Sequence, residues 1–286
     1  MPFVLASLAS LLYGCADFMG GIAARRAPVL MATLLSQMVG LLALAIAAPS
    51  LGGISRSTDL SWGVVAGVAG SLGVLLLYRA LAIGTVSTAA PLVSMVALCI
   101  PVAVGIAGGD ALGWAGGFGI AAAVVAVALI SGGPSSHAGE APDPRVARSA
   151  LVTAAASGVL VGCFLVSLGQ IGPSAGLWPL VVARGTGTVV LGSVLLLRRG
   201  SIRPPSPSIG PILFAGVADV IANVLYVAAV QHGPLSLIAT IVSLAPASTV
   251  LLAQLVLREQ LGRPQKWGVA LALIAVVLLA QGTRAD

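Results

Sequence analysis

The sequence predicts an all-α integral membrane protein: ten transmembrane helices, arranged as two five-helix repeats of inverted topology around a central cavity. Composition is the first reason. Of 286 residues, 58% are hydrophobic and 8% charged, with a mean hydropathy of +1.10; a soluble domain carries about 25% charged residues. No water-soluble fold of this length covers so much apolar surface, so lipid is its solvent. Self-similarity is the second reason. Laid without gaps at an offset of 149, residues 60–133 match residues 209–282 at 20 of 74 positions. Ala66-Gly67-Val68-Ala69 recurs as Ala215-Gly216-Val217-Ala218, and the Gly119–Ala123 segment is echoed by Gly268–Ala272. Duplicated apolar units mark membrane proteins built from repeats, with a binding site where the repeats meet.

A spanning helix needs ~20 mainly apolar residues. Ten such runs fall near 3–22, 29–48, 60–83, 87–107, 112–132, 149–169, 175–197, 209–231, 235–257 and 264–281. Residues 1–132 form the first repeat, 149–286 the second, and the Pro/Gly/Ser-rich stretch 133–148 joins them. A barrel is disfavoured because the apolar runs are continuous rather than alternating. The first run is read as a span and not as a cleavable signal, since Arg25 and Arg26 follow it and no basic residue precedes it.

Taken in order, helix 1 carries Tyr13 and Asp17 one turn apart on one face. Helix 3 opens near Trp62, holds Gly63-x-x-x-Gly67 for close helix approach, and ends with Tyr78 and Arg79. Helix 4 contains Pro91 and Pro101, which break backbone hydrogen bonds, and closes on Gly105-x-x-x-Gly109. Helix 5 opens near Trp114. Helix 6 holds Gly158-x-x-x-Gly162. Helix 7 begins at Trp178-Pro179, a candidate outer gate, and carries Arg184. Helix 8 presents Asp219, Asn223 and Tyr226 at i, i+4 and i+7; Asn223 is the only asparagine of the chain. The aligned positions of the first repeat are Gly70, Val74 and Leu77, so this polar face exists in one half alone and reads as cavity lining. Helix 9 contains Pro246, a candidate hinge or kink. Helix 10 opens near Trp267. The four tryptophans sit at helix ends, as an interfacial belt requires.

Charge sets the orientation. The loops after odd helices hold Arg25, Arg26, Arg145, Arg148, Arg198, Arg199, Arg203, Arg258, Arg263 and Lys266, while the remaining loops and tails hold Arg56 and Arg284. Ten against two puts the odd-to-even loops in the cytoplasm and both termini outside. Five helices per repeat then thread the halves in opposite senses. The net charge of +6 does not indicate nucleic acid, because the basic residues are scattered without exposed aromatics.

Four charges remain at membrane depth, where they are costly and face cavities or one another. Arg184 and Asp219 lie at similar depth near their helix centres. Asp17 and Arg79 lie near the inner mouth, within an arginine's reach in depth. These are two candidate intramembrane charge systems; the alternative is that each pair only holds helices together. No catalytic set, P-loop, cofactor motif or metal-ligand spacing accompanies them. Cys15, Cys99 and Cys163 fit packing inside helices, and His137 and His232 lie near loops. The chain does not read as an enzyme.

The segments Leu257-Arg258-Glu259-Gln260-Leu261 and Trp267-Gly268-Val269-Ala270-Leu271 resemble the end of an EamA repeat of the drug/metabolite transporter superfamily. Leu12–Phe18 and Tyr78-Arg79-Ala80-Leu81-Ala82 are similar to its helices 1 and 3, and Arg184 falls where such repeats often carry an arginine. The first repeat departs from the pattern, with Gln37 near the arginine position and Asp110 in place of Glu259. Termini outside also differ from the inside termini common among ten-helix members. The resemblance implies export of small metabolites across a bacterial-type inner (cytoplasmic) membrane, without a cofactor. The nearest picture is the amino acid exporter type, including aromatic amino acid exporters, and the protein acts as a monomer on a small-molecule substrate. A zwitterion would meet Arg184 or Arg79 with its carboxylate and Asp219 or Asn223 with its amine, and the tyrosines would receive its side chain. Protons could couple through Asp219 or Asp17, although facilitated diffusion fits equally. A multidrug or organic cation exporter is the alternative, and an intramembrane enzyme or scaffold a more distant one.

Overall fold

The computed structural model describes residues 1–24, 26–83, 86–131, 144–199, 206–257 and 261–282; within its helices, the side chains of residues 24, 51, 78, 81–83, 86–91, 131, 144, 147 and 257 fall outside the description. The described residues form helices and connections: α1 (Pro2–Ala24), α2 (Val29–Leu51), α3 (Ser57–Ile83), α4 (Val86–Ala107), α5 (Trp114–Ser131), α6 (Pro144–Gly169), α7 (Trp178–Leu197), α8 (Ser206–Val230), α9 (Leu235–Val242), α10 (Ala245–Leu257) and α11 (Arg263–Gln281). Among the described residues eight helical stretches are long and apolar enough to cross a membrane, and two shorter apolar helices, Leu92–Ala107 and Trp114–Ile130, accompany them. Leu42, Ile46, Phe118, Val189, Leu255 and Leu273 point outward, a surface suited to acyl chains and not to water.

Two elements differ from the sequence reading by more than three residues. Helix α6 starts at Pro144, so it takes in the last part of the expected linker; a proline suits the first turn, where its missing N–H has no partner to lose. Residues 133–143 of that linker lie outside the described residues. The expected ninth helix is two helices, broken at Ser243 and Leu244. Pro246 explains the break. In a continuous helix its ring would clash with the carbonyl of Val242, and Val242 is the last residue of α9. Pro101, by contrast, sits inside an unbroken α4.

Helix α3 packs on α6 and α7, α1 on α8, α9 and α10, α4 on α6, α2 on α7 and α8, and α5 on α11. Small residues set the closest crossings. A methyl group at Gly67 of α3 would run into the Ala183 carbonyl and Thr186 of α7, and one at Gly158 of α6 would meet the Val93 carbonyl at 2.8 Å and the Val96 side chain at 2.7 Å on α4. The Gly63–Gly67 and Gly158–Gly162 spacings therefore act as packing faces, as expected, whereas Gly109 of the third spacing has open space around it.

One half of the bundle is solid. Ala6 and Ala9 of α1, Leu44 of α2, Leu165 and Leu168 of α6, Leu180 of α7, Tyr226 of α8, Leu237, Ile238 and Ile241 of α9, and Leu279 of α11 form one buried cluster. These residues occupy the N-terminal parts of α1 and α7 and the C-terminal parts of α2, α6, α8 and α11. The other half is where a hollow remains.

Gly67→Ala is expected to destabilise the protein by about 1–3 kcal/mol through overpacking, read as a lower thermal midpoint in detergent. Gly192→Ala, at a helical glycine with open space around it, is expected to leave the midpoint unchanged or raise it, by up to about 1 kcal/mol. Equal midpoints for the two variants would show that α3 does not depend on this crossing.

Candidate functional site

Arg184, near the middle of α7, organises the centre of the bundle. Its Nη2 pairs with Asp219 Oδ2 on α8, and its Nη1 donates to Gln37 Oε1 on α2. An arginine so placed needs such partners, because an uncompensated charge at membrane depth is unfavourable by several kcal/mol. One turn further along α8, Asn223 Nδ2 donates to the Asp219 carbonyl at 2.7 Å and to Asp219 Oδ2 at 3.3 Å. The Asn223 Oδ1 accepts the Tyr13 hydroxyl of α1 at 2.7 Å. A continuous polar chain thus runs Gln37–Arg184–Asp219–Asn223–Tyr13 and ties α2, α7, α8 and α1 together.

Below this chain lies a cavity of about 580 Å³. Its polar wall includes Asp17, Gln37, Ser94, Arg184, Asp219 and Thr249, and its apolar wall includes Val74, Leu77, Val93, Ile130, Ile212 and Val250. The Arg184 and Asp219 side chains are 14% and 31% exposed, so the pair is a wall of the hollow and not a dry joint. Lining residues come from the C-terminal halves of α1 and α3 and the N-terminal halves of α2, α4 and α8, and they reach Ala23 and Val29 at the bundle end. The cavity therefore extends from the centre toward the α1–α2, α3–α4 and α7–α8 connections.

Helices α1 and α8 are antiparallel, since the end of α1 and the start of α8 share the cavity. The Tyr13–Asn223 bond fixes their register, and one turn on, roughly 6 Å down the axis, Asp17 and Asp219 stand at the same depth on neighbouring helices. Asp219 is matched by Arg184. Asp17 is exposed and, among the described residues, has no hydrogen bond or ion pair.

The other expected site residues are distributed elsewhere. Tyr226 is fully buried and its hydroxyl donates to the Leu165 carbonyl at 3.0 Å, which makes it part of the solid half. Trp178 opens α7 at the end away from the cavity and is partly exposed. Arg79 is exposed, lines no part of the cavity and is not paired with Asp17. Matching depth did not make them neighbours, because α1 packs on α8, α9 and α10 while α3 packs on α6 and α7. The Tyr78 side chain lies outside the described residues, as do Arg258 and Glu259.

Gln37 and Thr249 complete the site without having been expected there. Gln37 was legible as an amide in an apolar span, but only the fold brings it to Arg184. Thr249 follows the helix break, and its hydroxyl reaches the Gly14 carbonyl of α1 at 3.2 Å and the Ala245 carbonyl at 3.3 Å. Among the described residues no group of His, Cys, Asp and Glu could hold a metal ion.

Residues 148–281 match the EamA-like transporter family. No curated protein matches the chain. Among solved structures, a protein known from a crystal structure superimposes with a TM-score of 0.79 at 16% identity, over 97% of this chain and 95% of that one; at this identity the likeness is one of fold. Residues 148–281, just under half of the chain, are thus similar to an EamA-like transporter domain, and the long apolar helices fit a multi-pass membrane protein.

Arg184→Gln and Asp219→Asn are each expected to lower stability by about 1–3 kcal/mol, because each leaves a partner unmatched. The double variant is expected to recover about 1–2 kcal/mol of the summed loss. A thermal double-mutant cycle in detergent measures this, and strict additivity would mean that the two side chains are energetically independent.

Proposed function

We propose that this protein is a secondary transporter that exports small amine-bearing metabolites by alternating access of two inverted five-helix repeats, amino acids with neutral or aromatic side chains being the first class to test. One observation carries the reading: a hollow at the bundle centre whose wall holds Asp17 and the Arg184–Asp219 pair, open ground for a polar solute in an otherwise apolar protein. Such a solute would offer its amine to a carboxylate of the wall, while the aliphatic side chains receive its apolar part.

The packing pattern supports the inverted repeat. Exchanging each helix with its counterpart five spans later turns α3 on α6 into α8 on α1, and α3 on α7 into α8 on α2; all these contacts are present. The exchange also holds at single residues. A methyl at Gly119 would meet Leu279, and one at Gly268 would meet Ile130; both pairs are related by the offset of 149. The matched residues 148–281 overlap most of the expected second repeat, 149–286, which supports that division.

Alternating access needs one closed end. Opposite the cavity, the Ile54 amide donates to the Ser174 carbonyl at 2.8 Å, and Asp59 accepts the Gly172 amide at 2.9 Å. Asp110 likewise accepts the Ser236 amide at 2.8 Å. Each bond joins the two halves of the chain. Arg26, Arg145, Arg148, Arg198, Arg199, Arg263 and Lys266 gather at the cavity end and Arg56 at the closed end, so the positive-inside bias favours a cavity facing the cytoplasm. That is the loading state of an exporter in a bacterial-type inner membrane. A monomer suffices, because one chain supplies both halves. An organic cation exporter is the second reading, favoured by Asp17, which has no partner among the described residues, and protons could couple through Asp17 or Asp219.

Purified protein in liposomes, given a panel of labelled amino acids and amines, is expected to move at least one of them, with Asp219→Asn and Arg184→Gln each slowing flux about tenfold or more. Flux that survives both substitutions unchanged would reject this site. In a background with Cys15, Cys99 and Cys163 replaced by alanine, cross-linking Ile54→Cys to Ser174→Cys is expected to stop flux until the link is reduced. Undiminished flux through fully cross-linked protein would reject alternating access at this face.

A further inference from the structure

We infer that Asp17 is the docking group for the ammonium of the substrate and that Arg184, its charge already balanced by Asp219, does not serve a substrate carboxylate, so that the cavity takes small monocationic amines with an apolar body in preference to zwitterions. The inference rests on the transporter reading above and narrows its substrate class.

The charge on the wall is the first ground. Among the described residues three ionisable side chains line the cavity: Asp17, Arg184 and Asp219. With all three ionised, the wall carries one net negative charge, and a monocation brings it to zero. A zwitterion leaves it unchanged. In surroundings of low dielectric the neutral complex is the favoured one.

The second ground is geometry at the arginine. Both terminal nitrogens of Arg184 are already engaged, one by Asp219 and one by Gln37. A substrate carboxylate would have to share the guanidinium with Asp219, putting two anions on one cation, or displace Asp219, which would then stand unmatched at the same depth as Asp17 on the neighbouring helix. Two like charges facing each other across adjacent helices oppose that exchange. Nothing comparable opposes an ammonium at Asp17, whose carboxylate has no partner among the described residues and faces the hollow.

The third ground is space. Gly20 and Gly21 follow Asp17 at i+3 and i+4, on the same helix face, and both line the cavity. A methyl group built at either would meet nothing within 4 Å. The helix therefore leaves room beside the carboxylate, and aliphatic side chains such as Val74, Leu77 and Ile212 face that room from other helices.

The experiment compares phenethylamine with phenylalanine, which differ by the carboxylate, on the full chain in nanodiscs for binding and in liposomes for flux. Phenethylamine is expected to bind about tenfold or more tightly than phenylalanine, and to be the better transported of the two. Asp17→Asn is expected to weaken phenethylamine binding by about ten- to a hundredfold, the loss of one charge-assisted contact, with Asp17→Glu restoring most of it. Gly20→Leu, which leaves every charge in place, is expected to weaken phenethylamine binding while sparing methylamine. Tighter binding of phenylalanine, or wild-type phenethylamine binding by a folded Asp17→Asn protein, would overturn the inference. Flux of phenylalanine without phenethylamine would overturn it and leave the transporter reading standing, whereas no flux of any solute in the panel would count against both.

Discussion

The arginine at the centre of this bundle imposes a requirement that the surrounding helices are arranged to meet. A guanidinium cannot lose its charge in a protein, so at membrane depth it must be supplied with acceptors or water. Here it receives acceptors: Asp219 and Gln37 come from two other helices, and the cavity reaches the pair from one side. That one side chain draws together α2, α7 and α8, and through Asn223 and Tyr13 it adds α1. The polar chain marks the level at which the packed half of the molecule ends and the hollow half begins.

Around that level, packing does the remaining work. Lipid offers no hydrophobic drive for helices to associate, so close crossings at small residues and satisfied polar groups must hold them. The glycines at the α3–α7 and α6–α4 crossings supply the first. The closed end supplies the second, in carboxylates from the first half of the chain that accept amide hydrogens from the second half. There Gly53 and Gly176, both at positive φ (108° and 63°), let two connecting loops touch backbone to backbone, a conformation that residues with a side chain rarely adopt.

Much of this was written in the chain and some was not. Composition dictated lipid as the solvent, and run length located the spans, because each span must satisfy its own backbone before it packs. Asp219, Asn223 and Tyr226 were readable as one face from helical spacing, and Tyr13 with Asp17 as another, since polar residues on one face of an apolar helix have few places to point; Tyr226 nevertheless belongs to the solid half. Arg79 shows where such reasoning stops. Rise per residue gives depth, but which helix stands beside which is decided by packing across the whole bundle, and α1 and α3 face different partners. Gln37 shows the complementary gap: its chemistry was visible and its neighbour was not. The break in the ninth span was half legible, because a proline announces a disturbance without saying whether the helix bends or ends.

That break reaches further than its two residues. From Ser236 to Val242 every residue of α9 is buried in the solid half, whereas Pro246, Thr249 and Val250 of α10 border the hollow. A span cut at mid-depth ends one ladder of amides and starts another inside the membrane, and the peptide groups at the cut carry partial charges that a side chain would otherwise have to provide. Hydropathy plots register only residue types and pass over this polarity entirely. The matching span of the first half, α4, is continuous, so the two halves are not interchangeable parts: any motion that swapped their shapes would have to bend one rod where its twin already has a joint.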